Sequence, residues 1–251
     1  MPVTASTDGS LIEIFSSLQG EGPLVGARQL FIRLAGCNLD CAYCDTPFVP
    51  GPDFRMETAP GSGVFANYAN PCSVSDLLDL LRPWYDQAPN LHHSVSLTGG
   101  EPLLHVDFLT ELLPQLKSLW PLYLETNGTL PEALARVVEH LQWVSMDIKL
   151  ASMTGFETPW EQHRSFIEAA RGTELIVKTV IGSETPLAEL EQTGHLLQSV
   201  APDALWILQP VTRNGRVDLS SEAILAWHSQ LSRIHPHLRL IPQMHVFLQL
   251  P

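Results

Sequence analysis

Cys37, Cys41 and Cys44 are spaced C-x3-C-x2-C and make up three of the four cysteines in the 251-residue chain. Three thiolates on one short loop suit three irons of a cubane iron–sulfur cluster, which leaves a fourth iron open to a further ligand. An open iron is a place where a bound small molecule can be activated. Zinc is the other metal that thiolates select, but a closed zinc site takes four ligands, and the fourth would have to be Cys72 or a distant histidine. Cys72 stands just before Ser73–Val74–Ser75–Asp76, a helix N-cap pattern, and reads as a small buried residue rather than a ligand.

Other polar groups fall where apolar runs end. Thr98–Gly99–Gly100–Glu101–Pro102 follows one run and Glu125–Thr126–Asn127–Gly128 the next. Ser145, Asp147 and Lys149 close a third, and Gln209–Pro210–Val211–Thr212 a later one. In a sheet of βα units, active-site groups sit beyond the carboxyl ends of the strands. One such end is an ordinary turn; four of them beside a cysteine loop point to a functional rim. Earlier, Gln19–Gly20–Glu21–Gly22 lies in a turn-rich stretch whose glycines permit close backbone approach to a ligand, although a plain surface loop reads the same way. Glu101 and Glu125, beside glycines, suit ligand orientation by hydrogen bonds better than a hydrolytic carboxylate pair. Among the ten histidines, His92–His93 precede a strand and His235–Pro236–His237 lie in a turn, positions that suit packing or solvent rather than metal.

These groups need elements to hold them. Residues 11–15 and 30–36 read as strands, the second running into the cysteine loop. Apolar runs at 94–98, 122–126, 143–148, 175–181, 204–208 and 238–241 read as further strands, and their near-continuous apolar character predicts burial on both faces. Amphipathic stretches at 106–119, 131–141, 160–170, 186–200 and 221–234 alternate with them, and a helix starts near Leu77. Strands recurring at βα-unit spacing predict a largely parallel sheet with right-handed crossovers. About six units fit a partial barrel, an α/β fold of (βα)6 type in one domain spanning 1–251, with an N-terminal extension and an irregular insertion over 46–71.

Composition narrows the partners. A formal net charge of −13 with only 14 Lys+Arg excludes a nucleic-acid-binding surface, which needs clustered cations. No apolar segment reaches the roughly 20 residues of a membrane span. The first ten residues carry no secretory pattern, so a cytoplasmic setting is expected, where clustered cysteines serve metals or redox chemistry.

Cys37-x3-Cys41-x2-Cys44 after one strand, with Gly99–Gly100–Glu101–Pro102 after the next, resembles the radical S-adenosylmethionine (SAM) superfamily. The flanks Phe15–Ser16–Ser17–Leu18–Gln19–Gly20–Glu21–Gly22, Phe31–Ile32–Arg33–Leu34–Ala35–Gly36–Cys37 and Cys44–Asp45–Thr46–Pro47, with the tail from Gln243–Met244–His245 to Pro251, resemble the 7-carboxy-7-deazaguanine synthases. The resemblance implies a lyase-type enzyme of queuosine and deazapurine biosynthesis. Such an enzyme contracts the ring of 6-carboxy-5,6,7,8-tetrahydropterin with loss of ammonia, using a [4Fe–4S] cluster, SAM and Mg2+. It implies that Cys37, Cys41 and Cys44 ligate the cluster and Thr46 ligates Mg2+. Leu18, Gln19, Gly20, Glu21, Arg33, Thr98 and the Pro251 carboxylate would meet the pterin. Tyr43, Cys44, Asp45, Gly99, Gly100, Glu101, one or more of Ser145, Asp147 and Lys149, and Gln209, Pro210, Val211 and Thr212 would meet SAM. An electron donor such as flavodoxin or ferredoxin and a homodimer are further family-level implications.

The chain departs from the pattern where Ser145–Met146–Asp147–Ile148–Lys149 replaces the family's frequent Ser-Pro-Lys. An Asp-Ile-Lys strand end also occurs in the activases of glycyl radical enzymes, which share the cysteine spacing. An activase acting on a partner protein is therefore the alternative, and a zinc-binding module the second.

Overall fold

The computed structural model describes residues 7–42, 44, 48–213 and 215–250. In chain order the elements begin with strands β1 (Leu11–Leu18), β2 (Arg28–Leu34), β3 (Asp53–Glu57) and β4 (Phe65–Ala69) and helix α1 (Val74–Gln87). Then β5 (Ser94–Gly99), α2 (Val106–Leu116), β6 (Leu122–Thr126), α3 (Pro131–Ala135), β7 (Trp143–Asp147), the short α4 (Ala151–Thr154) and α5 (Trp160–Ala169) follow. The last part holds β8 (Glu174–Ile181), α6 (Leu187–Val200), β9 (Leu205–Pro210), β10 (Thr212–Arg213), β11 (Arg216–Val217), α7 (Ser221–Leu231), β12 (Leu238–Leu240) and α8 (Met244–Leu248).

Ten strands form one sheet in the order β12-β9-β8-β7-β6-β5-β2-β1-β3-β4. From β2 to β12 every neighbouring pair is parallel. Each return passes through a helix, which is the only economical way to bring a chain back to the same end of a sheet. The sheet stays open, with β12 and β4 as its ends, so the fold is the predicted partial barrel and not a closed one. Among the described residues no helix is long and apolar enough to cross a membrane.

The expected burial on both faces holds, but only one face is apolar. Leu30, Ile32, Val95, Leu97, Leu124, Val144, Val177 and Trp206 point to one side and pack with Leu81 of α1, Leu112 of α2, Phe166 of α5 and Leu197 of α6 in the main core. The alternate positions carry Gln29, Ser96, Thr98, Ser145 and Asp147, all buried, together with Glu125 and Lys178. Because successive side chains alternate across a strand, a run such as Ser-Val-Ser-Leu-Thr delivers its polar half to one face without interrupting the core. That polar face is the inner one. Its lower part is closed by a small apolar cluster of Tyr123, Ile176 and Ile207.

The stretch 46–71 is not irregular over its described length. β3 and β4 form an antiparallel hairpin, and β3 joins the sheet beside β1, pairing Arg55 with Glu13. Phe54 and Met56 alternate with polar neighbours and are buried; that two-residue period was the available signal, hidden among the surrounding prolines and glycines. The connecting turn is organised by Glu57, whose carboxylate accepts from Gly61 N and Gly63 N at 2.8 Å each and from Ser16 N at 2.9 Å. Farther along, the predicted cap of α1 is present, with Ser73 Oγ accepting from Asp76 N at 3.1 Å. Cys72 is 4% exposed, bridged through its backbone to Gly9.

Candidate active site at the strand ends

β2 ends at Leu34, and the cysteine loop that follows is pinned from several sides. Gly36 N donates to Phe48 O at 2.6 Å, Cys44 N to Cys41 O at 3.0 Å, and Ala42 N to Thr154 O at 3.2 Å. Beyond β6, Asn127 Nδ2 donates to Asn38 Oδ1 at 2.8 Å and lies 4.0 Å from Cys37 Sγ, and Asn38 Nδ2 donates to Thr129 Oγ1 at 2.9 Å. The loop is therefore held against the ends of both β2 and β6. All three cysteines are free of disulfides. Burial pushes the Cys37 and Cys41 thiols up, so a bound cation is needed to keep them as thiolates at neutral pH. Among the described residues no three His, Cys, Asp or Glu side chains already converge on a metal position. The fit to an iron–sulfur cluster is one of donor set and loop, with three reduced thiols on one segment at the rim.

Gly99 and Gly100 fit the strand ends together. A Cβ on Gly99, whose φ is +137°, would stand 2.0 Å from Leu34 O, and one on Gly100 would stand 2.1 Å from Gly36 O. Only a residue without a side chain lets β5 lie this close to the start of the cysteine loop. Glu101, expected to face SAM, turns into the protein instead and is 0% exposed. Its oxygens accept from Leu103 N at 3.0 Å, Asn127 N at 2.8 Å, and Thr126 Oγ1 at 2.9 and 3.0 Å. With its acceptor positions filled in this way, Glu101 is a brace that carries Asn127 to the cysteine loop. Burial raises its carboxyl, against the lowering effect of these donors.

The inner face continues from this rim as a polar network. Ser96 Oγ and Gln19 Nε2 each donate to Glu125 Oε1 at 2.9 Å, and Thr98 Oγ1 donates to Glu125 Oε2 at 3.3 Å. Gln19 also donates to Gln29 Oε1 at 2.8 Å, while Glu21 N donates to Gln19 Oε1 at 2.9 Å. Thus the loop after β1, which begins at Leu18, is bound to the sheet through Gln19. Arg33 donates from Nε to Glu13 Oε1 at 2.9 Å and lies over the Phe15 ring at 5.7 Å. Glu13 is shared with Arg55 of the β3–β4 hairpin, so the former insertion helps set the arginine expected to bind a carboxylate.

On the other side of the rim, Asp147 Oδ2 accepts from Lys149 Nζ at 2.8 Å, and the Ser145 side chain hydrogen-bonds to Tyr123. Asp147 Oδ1, Gln209 Oε1 and Thr212 Oγ1 are buried without hydrogen-bond partners among the described residues. Orphaned polar atoms of this kind signal a missing polar ligand, and SAM, with an ammonium, a carboxylate and ribose hydroxyls, is such a ligand. Pro210 ends β9 buried, and Val211 is held by Val211 N donating to Ile181 O at 2.8 Å. Tyr43, Asp45, Thr46 and Pro251 lie outside the described residues.

The tail docks on the Gly20–Glu21 end of the network. Met244 N donates to Gly20 O at 2.9 Å, and Gln243 Nε2 donates to Glu21 Oε1 at 3.3 Å. A Cβ on Gly20 would come within 2.4 Å of His245. Motif reasoning missed two positioning groups. Lys178 sits inside an apolar run, and His163, 0% exposed, bridges Gly128 O at 3.0 Å and Lys149 N at 3.1 Å. Burial lowers the His163 pKa to about 4, so it serves as a neutral brace between the β6 and β7 ends. A cavity of about 690 Å³ lies elsewhere, at the strand starts around Trp143, Glu174 and Leu205, and shares none of these groups.

Residues 31–197 match the radical SAM superfamily. The 7-carboxy-7-deazaguanine synthase of Geobacter sulfurreducens is 42% identical over 95% of this chain and 96% of its own length. This chain belongs to the 7-carboxy-7-deazaguanine synthase family of radical SAM enzymes. The synthase of Thermococcus kodakarensis is 32% identical over 95% of this chain and 97% of its own length. The crystal structure of QueE from Escherichia coli, 25% identical, superposes over 95% of each chain with a TM-score of 0.60. Family membership decides between the readings left open by the cysteine spacing, for a synthase and against both the zinc module and the activase. It also implies a [4Fe–4S] cluster and SAM.

Proposed function

We propose that this synthase-family chain contracts 6-carboxy-5,6,7,8-tetrahydropterin to 7-carboxy-7-deazaguanine with loss of ammonia. The observation that carries the reading to this substrate is the continuous polar inner face. It runs from the cysteine loop through Thr98, Glu125 and Gln19 to a loop covered by the C-terminal segment. A site laid out in this way presents a metal-binding end and an end rich in hydrogen-bonding groups for a flat, polar heterocycle.

Cys37, Cys41 and Cys44 would hold the cluster, and SAM would bind beside it. When both are bound, they supply reductive cleavage of the sulfonium and with it a hydrogen-abstracting carbon radical. The chain's own residues bind and orient. Asp147, Gln209 and Thr212 offer acceptors to SAM, and Tyr43, Asp45, Ser145 and Lys149 would be further contacts by motif. Arg33 presents a fork of donors to the substrate carboxylate; Gln19, Gly20, Glu21, Thr98 and Pro251 would address the ring. Mg2+, with Thr46 as its protein ligand, would keep waters and lean on substrate oxygens. A flavodoxin- or ferredoxin-type electron donor, a homodimer and a cytoplasmic location complete the proposal.

Anaerobic incubation of reconstituted protein with SAM, reductant, Mg2+ and 6-carboxytetrahydropterin is expected to yield 7-carboxy-7-deazaguanine by mass spectrometry. SAM consumption without that product would sink the reading. Arg33→Ala should raise the pterin KM about tenfold or more, the loss of one charge-assisted contact, while SAM cleavage without substrate stays near wild type. Lost cleavage at an unchanged KM would contradict the role given to Arg33.

A further inference from the structure

Lys178 lies midway along β8 with its side chain on the inner face, in register with Asp147 of β7 and Ile207 of β9. Its side chain is 16% exposed, and an ammonium taken this far from water needs anionic partners. Nζ donates to Glu21 Oε2 and stands 3.9 Å from Asp147 Oδ2, which holds Lys149 Nζ at 2.8 Å. Glu21 Oε1 takes Gln243 Nε2 at 3.3 Å. The result is a row of alternating charge, Lys149–Asp147–Lys178–Glu21, that crosses the inner face and ends on the C-terminal segment. Its two ends are the strand end expected to meet SAM and the loop expected to meet the pterin.

We propose that Lys178 is the positioning residue of the substrate side, holding Glu21 as a charged acceptor and tying the loop of Gln19, Gly20 and Glu21 to the Asp147 strand end. The inference rests on the synthase reading above. Breaking one partner of a buried ion pair leaves the other charge uncompensated, so the effect reaches beyond the lysine itself.

The charges around Glu21 give the proposal a distinctive signature. Burial works to raise its carboxyl, but the Lys178 ammonium overrides this, helped by His245 of α8 and the Gln243 amide, and brings it down to about 2. In turn Glu21, Asp147 and Glu125 hold Lys178 protonated against its own burial. Tyr123 of β6 also faces the pair, with its phenol kept neutral by burial. Without the ammonium, Glu21 keeps the burial that raises its pKa and gains nothing from the carboxylates of Asp147 and Glu125. With only His245 and the Gln243 amide left to oppose that burial, its pKa rises and its charged form is lost at a higher pH than in the wild type.

The test is equilibrium binding of 6-carboxytetrahydropterin to reconstituted enzyme with SAM and Mg2+, between about pH 5.5 and 8. Wild type, Lys178→Met, Lys178→Arg and the double variant Glu21→Gln/Lys178→Met are compared. Lys178→Met is expected to bind about tenfold more weakly at pH 8, and its deficit relative to wild type should widen as the pH falls towards 5.5. Lys178→Arg, which keeps the charge, should keep the wild-type pH profile. The double variant should be weak but without the added acid limb, because no carboxylate remains at position 21 to titrate. A Lys178→Met profile parallel to wild type, whether affinity is kept or lost, would overturn the proposal. If Lys178→Met does not fold, Lys178→Arg carries the test: a wild-type profile without an acid limb supports the proposal, and a changed profile sinks it. Failure of the wild type itself to turn over the pterin would fault the synthase reading and this inference with it.

Discussion

Alanine at Cys37, Cys41 or Cys44 is expected to reduce SAM cleavage by at least about a thousandfold and to remove the iron–sulfur absorbance of the reconstituted protein. A cubane held by three thiolates has no spare protein ligand to take the place of one that is removed. Cys72→Ala is the control. Cys72 is 4% exposed and bridged through its backbone to Gly9, where burial, with Asp76 and Asp8, pushes its thiol up to about 11. Its loss should cost about 1 kcal/mol of packing and leave cleavage intact. Iron content, visible absorbance and 5′-deoxyadenosine yield read all four variants. Full cleavage in any of the first three would overturn the ligand assignment.

Glu101→Ala carries the second large effect, and it separates a brace from a ligand contact. The carboxylate is fully buried and serves Leu103 N, Thr126 Oγ1 and Asn127 N together. Removing it strands these donors inside the protein and opens a small void, a loss of about 3–5 kcal/mol. Glu101→Gln is little better, since its amide must place an N–H group against at least one donor. Denaturant unfolding under anaerobic conditions measures the loss. Because Asn127 links Glu101 to Asn38 of the cysteine loop, cluster retention should fall along with stability. A Glu101→Ala protein of wild-type stability that merely bound SAM poorly would return Glu101 to the role of a direct SAM contact.

The cysteine loop and the Glu101 brace differ in how far the chain itself reveals them. Cysteine spacing is local: eight consecutive residues carry the three thiols, and no tertiary contact is needed to see what they select. The longer strands and helices from α1 to α7, though not the short α4, β10 and β11, were legible for a similar reason, since a two- or 3.6-residue period and caps such as Ser73 are written within each segment. The hairpin β3–β4 was obscured because its strands are short and gain their order from pairing with β1, forty residues away in the chain. Glu101 shows the limit within a motif, for its position in Gly-Gly-Glu-Pro says that it stands at the rim but not which way its side chain turns.

By itself, then, the sequence determined the metal-binding loop, the βα repeat and the chemistry available at each strand end, because these depend on residue type and short spacing. Only the tertiary structure decided the partners. Strand register places Glu13 between Arg33 and Arg55, Glu125 beneath Ser96 and Thr98, and Lys178 between Asp147 and Glu21. Those pairings join residues up to 157 positions apart, and a buried charge is acceptable only where such a distant partner arrives. The identity of that partner is a property of the fold, not of any segment.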